Sequence, residues 1–120
     1  MGHIVHVDNS EFFRKLMKTF LSELGHDAES FSRGKDAVAV VKAGKADCVI
    51  TGMQLEDMSA EECVKRLVDS PQTVPVVVVT SSTDEAKYKR LNALGVKVII
   101  QKSGDWKGEL SRQLANMGSL

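Results

Sequence analysis

Val74-Pro75-Val76-Val77-Val78-Val79-Thr80 is a nearly unbroken apolar run that stops at a hydroxyl. A strand with one wet face alternates apolar and polar residues. A continuous run marks a parallel strand covered on both faces. Outward from it, the same pattern recurs in shorter form at His3–Val7, Asp47–Thr51 and Val96–Ile100. Asp27–Ser32 is shorter in apolar content and more polar, which predicts an edge strand.

Helical periodicity fills the intervals. Phe12, Phe13, Leu16, Met17, Phe20, Leu21 and Leu24 recur at helical spacing and predict one inward face, closed at Gly25 by a left-handed cap. Lys35–Ala43 reads as a second helix, stopped at Gly44. Ser59 followed by Glu62 is a capping box and opens a third helix over Ser59–Ser70. Ser82 with Glu85 opens a fourth, which Gly95 closes. Asp105–Met117 is the last, with Trp106, Leu110, Leu114 and Met117 turned inward. Five strands alternating with five helices predict an α/β doubly wound parallel sheet. Right-handed crossovers and the flavodoxin-like strand order 2-1-3-4-5 make strands 1, 3, 4 and 5 neighbours. Asp8, Gly52, Thr80 and Lys102, at their carboxyl ends, are then expected in one pocket.

The chain has 120 residues, suited to a single domain spanning 1–120, and is 42% hydrophobic and 27% charged. Lys+Arg and Asp+Glu number 16 each. That balance gives no net field for nucleic acid. No apolar run nears the ~18 residues of a membrane helix, and no signal peptide precedes the first strand. A cytoplasmic protein without membrane insertion is expected. Cys48 and Cys63 fit no metal spacing and are expected as buried, reduced thiols. His6 is expected as a core histidine with one hydrogen bond, and His3 and His26 as surface residues.

The segment Asp47-Cys48-Val49-Ile50-Thr51-Gly52-Met53-Gln54-Leu55-Glu56-Asp57-Met58-Ser59, taken with Asp8, Thr80-Ser81 and Lys102, resembles the receiver domain of two-component response regulators, chemotaxis regulators among them. The resemblance covers nearly the whole chain. It implies that Gly52 stands where the family carries the phosphoryl-accepting aspartate. It also implies that Asp8 and Asn9 match the acidic pair that helps hold Mg2+, that Thr80 matches the switching hydroxyl with Ser81 after it, and that Lys102 matches the lysine neutralising the phosphoryl charge. Ile99 takes the place of the aromatic switch residue, and Ser103 that of the proline after the lysine, so no cis peptide is expected there.

Glycine offers no nucleophile, and Asn9 brings no charge. Mg2+ binding is therefore expected to be weak or absent, with Asp8 the residual ligand and no cofactor. Glu56 and Asp57 read as solvated loop carboxylates. Lys102 is expected to pair with Asp8 across the vacated position. The reading is a pseudo-receiver, not an enzyme, that acts in signal transduction by protein–protein interaction. Its partner is a signalling protein, an output domain or a second copy of itself. Lys87, Tyr88, Arg90 and Lys97 mark the expected partner surface. Two alternatives stay open. One is an ordinary phosphorylatable receiver disabled by an engineered Asp-to-Gly change. The other is a flavin or small-ligand carrier on the same fold, which the short acidic loop Asp8-Asn9-Ser10-Glu11 disfavours.

Overall fold

The computed structural model describes residues 2–70 and 73–117, so Met1 and the last three positions of the expected domain lie outside the described residues. Among the described residues, strands and helices alternate as β1 His3–Val7, α1 Glu11–Glu23, β2 Asp27–Phe31, α2 Gly34–Lys42, β3 Cys48–Thr51, α3 Ala60–Val68, β4 Val76–Thr80, α4 Glu85–Ala93, β5 Val98–Gln101 and α5 Trp106–Ala115. All pairings are parallel and the order is β2-β1-β3-β4-β5, the expected flavodoxin-like topology. The weakly apolar β2 is indeed at an edge.

Two strands begin two residues later than the apolar pattern predicts, and local chemistry explains each. Pro75 has no N–H to donate, so the β4 ladder opens at Val76. Val96 is spent on the preceding helix. Its N–H bonds Leu91 O, the Gly95 N–H bonds Asn92 O, and Gly95 sits at φ 105°, which together form a Schellman closure. β5 is left to start at Val98. Gly25, at φ 90°, ends α1 in the same way.

The sheet separates two apolar layers. Ile4, Ile50, Val77, Val79 and Ile100 point toward Phe13, Met17, Leu21, Leu110 and Leu114 on the α1 and α5 side. Val5, Val7 and Val49 face α2 and α3, and Val78 packs with Ala60, Val64 and Leu91. Trp106 is half-buried, its ring 5.1 Å from Phe13 and 5.7 Å from Phe20, as an anchor between α5 and α1. Cys48 and Cys63 are free and buried in separate layers, and burial pushes both thiols up to about 12. Neither is a nucleophile near neutral pH.

Some expectations fail. Phe12 is 76% exposed, so it does not join the inward face of α1. At about 100° per residue the seven apolar positions span about 180°, and Phe12 lies at one rim of that arc. The cap of α4 is Asp84, not Ser82; its carboxylate accepts from the Ala86 and Lys87 amides. Ser82 instead accepts from the Asp84 amide, one turn earlier. Ser59 caps α3 through the Glu62 amide as expected, whereas the Glu62 side chain turns to Arg66 at 3.1 Å. His3 is not a free surface residue: its ring bridges Asp27 at 2.9 Å and Glu29 at 3.1 Å. His26 is half-buried, and its Nδ1 accepts from the Gly2 amide.

Candidate functional site

Strand parity decides which side chains meet at the carboxyl edge of the sheet. His6 pairs with Ile50 in register, so Asp8 and Gly52, two residues further on, fall on the α1 and α5 side. Lys102 follows Ile100 on that same side. Asp8 is buried, and Lys102 Nζ reaches its Oδ2 at 2.9 Å. The expected contact across the glycine is thus present. The Ser10 amide donates to Asp8 Oδ1 at 2.9 Å, and Arg14 Nη1 donates to the Asp8 carbonyl at 2.7 Å. Both carboxylate oxygens are engaged. The Lys102 ammonium also lies 3.9 Å from the centre of the Phe13 ring, a cation–π position.

Gly52 closes the arrangement. Its amide donates to Val7 O at 2.8 Å, which holds the end of β3 against β1. A Cβ built on Gly52 would stand 2.6 Å from Asp8 Oδ2 and 2.9 Å from its Cγ. The Asp8 carboxylate therefore lies in the space that any side chain at 52 would need. Thr51 cannot substitute. It points to the opposite face, is buried, and donates its hydroxyl to the Gly52 carbonyl.

Thr80 reaches the site through its backbone. Its carbonyl accepts from the Lys102 amide at 2.7 Å, while its side chain belongs to the α3 and α4 face, paired in register with Gln101. The hydroxyl accepts from the Ser82 amide. The turn after β4 is then a chain of short side-chain caps: Thr80 to Ser82, Ser82 to Asp84, and Asp84 to the start of α4. Tyr88 donates its hydroxyl to the Ser82 carbonyl, and Gln101 Nε2 lies 3.4 Å from that hydroxyl. Ile99 is half-buried and packs against the cluster of Ala60, Val64, Val78, Leu91 and Val96. Ser81, Ser103 and Asn9 are exposed, and no peptide bond among the described residues is cis.

Asp57 is an exposed loop carboxylate, as expected, but it is not idle. It accepts from the Gly34 amide at 2.7 Å and the Lys35 amide at 3.2 Å, at the start of α2. Desolvation works against its charge, but those backbone bonds prevail and hold its pKa below the usual value. Glu56 is also engaged. Its pKa is lowered first by a hydrogen bond with Ser32, then by Arg33, whose Nε lies 3.4 Å away. Gly34 fits here because a Cβ would meet Met58 Sδ at 2.7 Å. The loop after Gly52 is thereby tied to the α2 N-terminus.

His6 also departs from expectation. It is fully buried, and neither ring nitrogen has a hydrogen-bond partner among the described residues. Burial lowers its pKa to about 4, with Asp8 opposing and Lys102 and Arg14 assisting.

The comparisons with known proteins agree with this architecture. The family described as response regulator receiver domain matches residues 4–112. The chain belongs to that family. Receiver domains are signalling domains that interact with other signalling proteins or output domains. Over 92 residues the chain is 29% identical to the autoinducer 1 sensor kinase/phosphatase LuxN of Vibrio campbellii, covering 76% of this chain but only 11% of that protein. The chemotaxis response regulator CheY4 of Vibrio cholerae superposes with a TM-score of 0.86 at 23% identity, covering 98% of both chains. The receiver domain of a sensor histidine kinase from Pseudomonas aeruginosa PAO1, solved with a magnesium ion coordinated in its active-site cleft, gives 0.87 at 17% identity and again 98% of both chains. No helix among the described residues is long and apolar enough to cross a membrane.

Proposed function

We propose that this receiver is a pseudo-receiver, which signals through protein contacts and forms no acyl phosphate. The observation that carries this reading is the approach of Asp8 to Gly52. The position that would bear the acceptor has no side chain, and its space holds a carboxylate already paired with Lys102. Mg2+ binding is weak or absent on this reading. The ion needs oxygen ligands, usually with one or two carboxylates. Here Asp8 is committed to an ammonium, Asn9 is neutral, and Gly52 contributes nothing. The domain has no catalytic role of its own and acts in the cytoplasm.

The expected result with a small phosphodonor is no reaction. After incubation with acetyl phosphate and Mg2+, the intact mass should be unchanged. A stoichiometric gain of one phosphoryl group, labile to hydroxylamine, would overturn the proposal. Gly52→Asp alone should phosphorylate poorly in the same assay, because it restores the nucleophile against a displaced Asp8 and without charge at Asn9. Adding Asn9→Asp should raise both Mg2+ affinity and phosphorylation. Full phosphorylation of the single variant would point to a receiver disabled at one position only.

The partner surface falls on α4 and β5. Lys87 and Lys97 are exposed there. Arg90 is less available, because it pairs with Glu61 of α3 at 2.7 Å. Tyr88 is held by Ser82. The free positive charge of Lys87 and Lys97 is suited to an acidic partner, a signalling protein or an output domain. Lys87→Glu should slow its association severalfold at low salt and much less at high salt. An unchanged association rate, with binding lost instead on substitution in α1, would move the surface elsewhere.

A further inference from the structure

The α1-facing side of β1 and β2 is apolar where Ile4 pairs with Ala28, but one step along the register it is polar: His6 pairs with Ser30. Residues paired in a parallel ladder project from the same face, so the imidazole and the hydroxyl stand side by side under α1. Phe13 covers the His6 ring edge-on, with centroids 5.8 Å apart. His6 Nδ1, His6 Nε2 and Ser30 Oγ are all shielded from solvent, and none has a hydrogen-bond partner among the described residues. They are not bonded to each other. Buried polar groups left unpaired are costly and rare, and adjacent ones of this kind are how folded proteins hold internal water.

We propose that His6 and Ser30 form an internal hydration site between the sheet and α1, in which one water bridges an imidazole nitrogen and the Ser30 hydroxyl. The chemistry suits a small neutral molecule that both donates and accepts. Neutral imidazole offers one donor and one acceptor nitrogen, and a hydroxyl offers both functions. An anion is disfavoured because Asp8 lies two residues along the same face, and a cation because Lys102 and Arg14 bear on the same imidazole. The water ties edge strand β2 to the strand that presents Asp8, and it selects one imidazole tautomer. This inference is independent of the phosphoryl chemistry at Gly52.

Two measurements test it. A crystal structure of the unaltered chain, at a resolution where internal waters are ordered, should contain one water within hydrogen-bond distance of a His6 ring nitrogen and Ser30 Oγ. Nitrogen NMR of the imidazole should report a single tautomer, and Ser30→Ala should shift the His6 ring nitrogens without moving the Asp8 amide. The first measurement needs no variant, so a poorly folded Ser30→Ala leaves the test intact. A direct His6–Ser30 hydrogen bond, a dry contact between them, or ring nitrogens unmoved in a folded Ser30→Ala overturns the proposal.

Discussion

Replacing Asp8 by alanine should destabilise the domain by about 3 kcal/mol at neutral pH, the low end of the cost of breaking a buried ion pair by removing one partner. The low end applies because Lys102 keeps 19% of its side chain exposed, whereas Asp8 keeps 2%. The ammonium that remains would still lie over Phe13 but would lose the only close anion it has among the described residues. The loss is compounded next door, because Gly52 has no side chain to fill the space Asp8 leaves. The double variant Asp8→Ala/Lys102→Met should recover part of the stability, since replacing both members of a buried pair by apolar groups is often close to neutral. Urea unfolding of the two singles and the double measures the coupling. A single-variant loss below about 1 kcal/mol, or a double variant no better than Asp8→Ala, would mean that the pair is not structurally important.

The second large effect is acid sensitivity from His6. Its folded pKa is about 4, against 6.5 for the free side chain. Above pH 6.5 the imidazole is neutral in both states and contributes nothing to the pH dependence. Below it, the unfolded chain takes up a proton that the folded core refuses. Stability then falls by about 1.4 kcal/mol per pH unit, to a total of about 3 kcal/mol by pH 4. His3 has the opposite sign. Burial works against its charge, but Asp27 and Glu29 prevail and raise its pKa. It therefore stabilises below pH 6.5 and loses that contribution as pH rises through its raised value. With Asp27 largely exposed, solvent screening keeps the His3 effect small. His6→Leu should remove the His6 share of the slope between pH 6.5 and 4, while leaving in place the contributions of His3, of His26, whose pKa burial also lowers, and of the lowered carboxylates. Parallel stability curves for His6→Leu and the parent chain across that window would refute this account.

How far the sequence could be read depended on the range of the interaction. Strand and helix existence, the edge position of β2 and the strand order followed from apolar runs and chain connectivity, which are properties of neighbouring residues. The Asp8–Lys102 contact was legible too, because topology brings the two strand ends together and a buried ammonium needs a partner. The partners of Asp57 were missed for the opposite reason, although its exposed loop position was foreseen. Its partners at Gly34 and Lys35 are 23 and 22 residues away, and no local pattern distinguishes a carboxylate aimed at a helix end from one in water. Phe12 was misplaced because periodicity finds the direction of an apolar arc but not how much of its rim is covered. Ser82 and Asp84 are both good caps two residues apart, so only the backbone path could choose between them. The missing partner of His6 was beyond reach, since alternation shows that a residue is inside but not what it meets there.

The close approach of Asp8 to position 52 has a genetic consequence. On the pseudo-receiver proposal, a single codon change that places aspartate at 52 would not by itself restore full phosphorylation. The new side chain would arrive where Asp8 and Lys102 are already joined, and the Asp8 carboxylate would have to shift to admit it. The way back on that proposal therefore takes several substitutions, a charge at Asn9 among them, and their order decides how stable each step is.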